Sequence, residues 1–218
     1  SGARAVSSHT GRLAGMDAVV NGAFRQYGIQ RVIDDEELCD ASKCLAMLPP
    51  AQGPRVAVLT PAGGFGVMGA DYVEADQRGI PLSMATLAPQ TVRRIREATF
   101  PFAACENPVD LTASADDGMF GHSLDALLED DGVDIIICTA FFAPPAISDG
   151  LIQEIADRVR RSAKPIITFT QSGPFTDLYL RRFHDAGVVG FPSISRAVRA
   201  ARFLMERARI LAALEEHP

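Results

Sequence analysis

The 218-residue chain has no tryptophan and only three tyrosines. It is short of the ring-stacking side chains a flavin site draws on, and no hydroxyl-rich phosphate loop compensates. It also lacks an unbroken apolar run of about 20 residues, so no segment reads as a bilayer-spanning helix. The longest candidate, 133–145, is interrupted by Asp134 and Thr139 and ends in Pro144-Pro145. No basic stretch precedes an apolar one in the manner of a signal peptide. Basic residues are outnumbered, 21 Lys and Arg against 27 Asp and Glu, a net charge of −6. That balance argues against a phosphate-backbone-binding surface, which needs clustered cations. Four cysteines, Cys39, Cys44, Cys105 and Cys138, show no Cys-x-x-Cys spacing. They read as reduced thiols of a cytoplasmic protein, with Cys138 a small apolar residue inside a strand. No His pairs with Cys, Asp or Glu at metal-ligand spacing, so no metal site is expected. There is no Gly-x-Ser-x-Gly elbow, no Gly-Lys-Ser/Thr phosphate loop and no Gly-x-Gly-x-x-Gly fingerprint.

What remains is an ordinary globular composition, 47% hydrophobic and 22% charged, long enough for a self-sufficient core. The first residue is Ser1 rather than Met, which points to processing or to a piece of something longer. Residues 1–11 are small and polar and read as a loop. From Leu13, apolar residues recur at helical intervals until Gly28 offers a stop. Residues 29–33 read as a short extended piece. Asp34 or Asp35 is a plausible cap for a second helix whose apolar face is Leu38, Leu45 and Leu48. The Gly/Pro linker 51–54 is the expected domain boundary.

Beyond it, strand and helix alternate. Strands are expected at 56–59, 82–85, 109–111, 134–140, 165–170 and 188–191. Helices are expected from the glycine-rich turn at 61–69 to near Gly79, then at 89–98, 123–129, 147–162, 175–186 and 193–214. The last of these carries arginines on its outer face. Near-continuous Val/Ile runs in alternation with helices predict a doubly wound parallel sheet of the flavodoxin-like type. In such sheets ligands sit beyond the carboxyl ends of the strands. That singles out the loops 60–66, 107–112, 140–147 and 171–175.

Three short motifs carry possible chemistry. Thr60-Pro61-Ala62-Gly63-Gly64-Phe65-Gly66 follows a strand and opens a helix. Its glycines serve either close helix–sheet packing or the approach of backbone N–H groups to an anion at a helix N-terminus. Ser8-His9-Thr10-Gly11 places a histidine in a small polar loop, either a plain surface residue or a reactive one. Asn107-Pro108-Val109-Asp110-Leu111 puts Asp110 near a strand end, as a turn cap or as a carboxylate facing the ligand crevice.

Taken in order, 7–15, 60–67 and 107–111 resemble the NDP-forming acyl-CoA synthetases. These include the ADP-forming acetate–CoA ligases and are relatives of succinyl-CoA synthetase. The resemblance covers nearly the whole chain. It implies that residues 1–49 are the tail of the phosphohistidine-bearing domain and 55–212 a flavodoxin-like ligase domain. It implies that His9 carries the phosphoryl group between acyl phosphate and ADP or ATP. Ser8, Thr10, Gly11, Gly63, Gly64 and Gly66 would then contact phosphate, with Asn107 and Asp110 the remaining motif positions. The carboxylate that orients the imidazole is expected upstream. By the same resemblance the parent enzyme uses CoA, ATP/ADP and Mg, none held by this segment. Its partners are an upstream CoA-binding domain and an ATP-grasp domain or subunit, in a homo- or hetero-oligomer, without nucleic acid or membrane. The segment alone is expected to be inactive. Two alternatives stand beside this reading: a regulatory synthetase-like region of a lysine acetyltransferase, and a non-catalytic flavodoxin-like binding module. The acid that is activated is left open.

Overall fold

The computed structural model describes residues 17–75 and 79–216. His9, Ser8, Thr10 and Gly11 lie outside the described residues. Helix α1 (Asp17–Gln26) stops at Gly28, whose φ of +63° is a left-handed turn suited to glycine. The amides of Gly28 and Ile29 reach back to the Arg25 and Phe24 carbonyls, closing the last turn. Residues 29–33 form no strand. Helix α2 (Asp35–Met47) begins at Asp34, whose carboxylate accepts from the Glu37 amide at 2.7 Å. Glu37 in return accepts from the Ile33 amide, a reciprocal cap.

The sheet consists of β1 (Arg55–Thr60), β2 (Ser83–Met84), β3 (Val109–Asp110), β4 (Ile135–Thr139), β5 (Ile166–Phe169) and β6 (Gly190–Phe191). All of its pairings are parallel, in the order β2-β1-β4-β5-β6, with β3 also on β1. The main path is the flavodoxin-like order expected, reversing direction between β1 and β4. Connecting them are α3 (Gly63–Glu74), α4 (Pro89–Ala98), α5 (Asp117–Leu128), α6 (Gly150–Arg161), α7 (Thr176–Asp185) and α8 (Ile194–Glu216). Pro89 opens α4, where its missing N–H has no partner to lose. Asp116 caps α5 on the Met119 amide.

Successive strand residues face opposite layers. Leu59, Ile136 and Cys138 join the core under α4–α7, and Val58, Ile135 and Ile137 the core under α3, α8 and α2. Cys138 is fully buried, and loss of water pushes its thiol well above the ordinary range. Its behaviour is that of the small apolar residue expected.

The strands β2 and β3 share one edge of β1, β2 on Arg55 and Val56, β3 on Leu59 and Thr60. Asn107 fills the gap between them. Its side-chain oxygen accepts from the Val58 amide at 2.9 Å, and its amide group donates to the Val56 and Ala85 carbonyls at 2.8 and 3.0 Å. One side chain thus stands in for a missing stretch of ladder.

The structure departs from the sequence reading in several places. Helix α3 starts within the glycines rather than after them and ends at Glu74. Helix α5 begins six residues earlier than expected, because Asp116 supplies a cap that outweighs two glycines in the first turns. Leu38 and Leu45 are 56% and 39% exposed, while Glu37, Asp40, Ala41 and Cys44 are buried. The arginines of α8 explain that inversion. Arg196 and Arg199 do not face outward but pair with Glu36, Glu37 and Asp40 of α2. Arg202 is buried against the Tyr72 and Val73 carbonyls. Helical periodicity picked the wrong face of α2, because ion pairing rather than apolarity decided which side turned inward.

Candidate functional site

Strand β1 delivers Thr60 to its carboxyl end, fully buried. The Thr60 hydroxyl accepts from the Ala62 amide and donates to the Ala62 carbonyl, both at 3.0 Å, fixing the turn into α3. Ala62 is the N-cap residue and offers no side-chain acceptor. The first amides of α3 therefore meet no capping side chain, in contrast to α2 and α5. Such an end carries partial positive charge and free donors.

The three glycines named from sequence have different roles there. A methyl group on Gly63 would stand 2.5 Å from Oδ2 of Asp110, and one on Gly66 would meet Pro108 at 3.2 Å and Thr60 at 3.3 Å. Gly64 is exposed and has open space around it. Gly63 and Gly66 thus allow β3 to press against the helix start, and Gly64 leaves its backbone open to solvent. The close-packing reading of the glycine motif describes Gly63 and Gly66, and Gly64 has no such neighbour.

Asp110 comes to Gly63 from β3. Its Oδ1 accepts from the Thr112 amide at 2.9 Å, and Thr112 has a φ of +67°, an uncommon conformation for a β-branched residue. Asn107 stands three residues away as a scaffold residue of the sheet, and its polar groups are engaged with backbone. The structure therefore brings Gly63, Gly64, Gly66 and Asp110 together, with Asn107 supporting them from below.

The loop 140–147 is arranged otherwise. Ser148 receives the first amide of α6, from Gly150, at 2.9 Å. Ser148 is itself held by Asp117, through its amide at 3.0 Å and its hydroxyl. That helix start is closed by side chains of the chain itself. Phe142 of this loop stacks on Tyr179 with centroids 3.9 Å apart. Between the two loops, Phe65 packs edge-on against Phe141 and Phe169, at 5.8 and 4.9 Å. These rings meet at the carboxyl ends of the strands, the side on which a doubly wound sheet offers its crevice. Sequence reasoning missed Thr60, Phe65, Phe141, Phe169 and Thr112. A phenylalanine inside a glycine run at a strand end was the available signal.

Among the described residues no group of three or more His, Cys, Asp or Glu is placed to hold a metal ion. His122 is exposed, its ring Nδ1 2.8 Å from the Gly118 carbonyl, and His184 is exposed on α7. No helix in the described residues is long and apolar enough to cross a membrane.

Two family models match the chain. Residues 1–45 match the succinyl-CoA ligase like flavodoxin domain and residues 56–209 the ligase-CoA domain. The acetate–CoA ligase [ADP-forming] II subunit alpha of Pyrococcus furiosus is 31% identical over 215 residues, covering 96% of this chain and 46% of that protein. The acetate–CoA ligase [ADP-forming] I of Archaeoglobus fulgidus is 36% identical over 212 residues, 97% of this chain and 29% of that protein. A solved structure, the dinucleotide forming acetyl-coenzyme A synthetase 1 of Ca. Korarchaeum cryptofilum in complex with phosphate and ADP, superposes with a TM-score of 0.83. Its identity is 29%, and the match covers 99% of this chain and 46% of that one. The chain therefore spans less than half the length of these relatives.

Proposed function

This chain belongs to the NDP-forming (ADP-forming) acyl-CoA synthetase family, and from that premise we propose that it is the phosphoryl-relay portion of an acid–CoA ligase. The overall conversion is acid, CoA and ATP to acyl-CoA, ADP and phosphate. Run in the reverse direction, toward ATP, the relay begins when a neutral imidazole nitrogen of His9 attacks the phosphorus of an acyl phosphate. The phosphorus–oxygen bond to the acyl group breaks, the carboxylate leaves, and the phosphoryl group is held as a phosphoramidate until ADP accepts it. An imidazole with an unperturbed pKa near 6.5 is largely neutral at pH 7 and serves as such a nucleophile.

The observation that carries the proposal is the uncapped start of α3. A phosphoryl group bearing close to two negative charges needs donors that are already in place. The amides at Gly63 and Gly64 supply them, and Ser8, Thr10 and Gly11 are proposed to add contacts from the histidine side. The site also contains a built-in opponent. Asp110 stands beside Gly63, and two unit charges 4 Å apart repel by about 1 kcal/mol in water. A relay must release what it receives, and a carboxylate at the mouth keeps docking weak enough for that.

The nucleotide, CoA and magnesium are assigned to other parts of the assembly. These are an upstream CoA-binding domain and an ATP-grasp domain or subunit, in a homo- or hetero-oligomer. This chain alone is then without ligase activity. The longer protein carrying this segment, given γ-labelled ATP, is expected to take up acid-labile label and to lose that uptake in His9→Asn. Unchanged labelling of His9→Asn would overturn the assignment of the relay to His9.

A further inference from the structure

Most of helix α2 falls within the stretch matching the flavodoxin-like domain, residues 1–45, yet its contacts run to the ligase-CoA body. Asp40 accepts from Arg196 at 2.7 and 2.9 Å and from Arg199 at 3.1 Å. Glu36 pairs with Arg199 at 2.6 Å and with Arg196 at 3.2 Å. The side chains of Glu37 and Asp40 are only 2% exposed. Lys43 donates to the Gly190 carbonyl at 2.7 Å and lies over the Phe191 ring, 4.0 Å from its centroid. That contact ties α2 to the open edge of the sheet. Cys44, Leu48 and Ala51 share one apolar core with Val56, Phe191 and Leu204.

The attachment continues backward along the chain. Gln30 donates to the Phe203 carbonyl at 2.9 Å, and Arg207 donates to the Gly28 carbonyl at 3.4 Å. Gly28 lies so close to α8 that a methyl group there would stand 2.8 Å from Ile210. Ahead of Gly28 the picture changes. Helix α1 has no buried residue, and the side-chain bonds of Asp17 and Asn21 run to the exposed guanidinium of Arg31.

We infer that the seam between the two matched domains runs through the Tyr27–Gly28 turn, and that residues 28–216 form one cooperative body. In that body α2 is locked to α8 by the acidic triad Glu36, Glu37 and Asp40 on Arg196 and Arg199. The linker 51–54, chosen from the sequence as the boundary, then lies inside the body. Buried carboxylates hold such a lock firmly, because separating them from their arginines leaves charge without water or partner. This inference is independent of the phosphoryl relay.

Amide hydrogen exchange and limited trypsin digestion of the whole chain test it. Within one cooperative body, residues 35–47 exchange within about tenfold of the central strand 135–139, since both open only with global unfolding. The first tryptic cut in the stretch 25–55 falls at Arg25, before Arg31, Lys43 or Arg55. Glu36→Gln, which removes the most exposed member of the triad, accelerates 35–47 and 135–139 by the same factor. Exchange in 35–47 more than about tenfold faster than in 135–139, cleavage at Arg31, Lys43 or Arg55 ahead of Arg25, or a Glu36→Gln effect confined to α2 would each overturn it.

Discussion

The carboxylate of Asp110 rests on the α-carbon of Gly63, so close that any β-carbon there would stand 2.5 Å from Oδ2. Two stretches of chain separated by about forty-five residues meet at this point. The contact couples the start of α3 to the carboxyl end of β3, and it makes the pair sensitive to very small changes.

The neighbouring glycines provide an internal control. Gly63→Ala forces Asp110 or the helix start to move and is expected to destabilise the fold by about 1–3 kcal/mol. Gly64→Ala has free space and sits in a helix, so it is expected to be neutral or stabilising by up to about 1 kcal/mol. Thermal unfolding of the two variants side by side checks both. Equal melting temperatures would remove the close-packing account of Gly63.

Removing the charge of Asp110 while keeping its shape isolates its electrostatic role. Asp110→Asn retains an acceptor for the Thr112 amide but no longer repels an anion. Inorganic phosphate, titrated by phosphorus NMR, is expected to bind the variant about fivefold more tightly, the equivalent of about 1 kcal/mol of repulsion. Weaker binding in the variant would mean that the carboxylate supports the anion rather than opposing it.

Asn107 is expected to matter to the sheet and not to the chemistry. Asn107→Ala removes three bonds to backbone groups of Val56, Val58 and Ala85; the Val56 carbonyl keeps the Ala85 amide, and the buried Val58 amide loses its side-chain acceptor. A loss of about 1–3 kcal/mol is expected in urea unfolding, the cost of one buried amide left unpaired. Asn107→Asp keeps the acceptor and loses both donors, so it is expected to unfold at lower urea than wild type as well.

Acid stability follows from two carboxylates at the amino-terminal side of β4. Burial pushes Asp134 upward, but hydrogen bonds from the Arg55 side chain and amide, with the attraction of that guanidinium, prevail and hold it below 3.8. Asp130 is likewise raised by burial and lowered further by the Thr91 hydroxyl, the Ala88 and Gly132 amides and Lys164. Groups depressed in the folded state stabilise it above their unfolded pKa, and that stability is lost as pH falls through the folded values. Stability from these groups is therefore expected to be level near neutrality and to decline once the pH drops below 3.8. Asp134→Asn should flatten that decline in acid titrations followed by circular dichroism. A slope unaffected by Asp134→Asn would place the acid-sensitive groups elsewhere.

Much of the architecture was legible because strong local signals agreed with the tertiary fold. Pro89 fixed the start of α4, the Ile135–Thr139 run declared a buried strand, and Asp34 marked the cap of α2. The failures share one cause, long-range partners that no local pattern encodes. Nothing near Leu38 announces that Arg196 and Arg199 will draw Glu37 and Asp40 inward from some 160 positions away. Nothing near Asn107 says that its amide will complete the edge of β1. At the site, the glycine motif and Asp110 were legible as positions, and their contact with each other was not. His9 lies outside the described residues, so its role rests on motif and family membership.

The cluster of Phe65, Phe141 and Phe169 has a consequence for how this unit does its work. Phe169 ends β5, Phe65 lies in the first turn of α3, and Phe141 follows β4, so three elements meet through ring edges. A shift of the helix start that carries Gly63 and Gly64 is therefore passed to the end of β5 by direct ring contact.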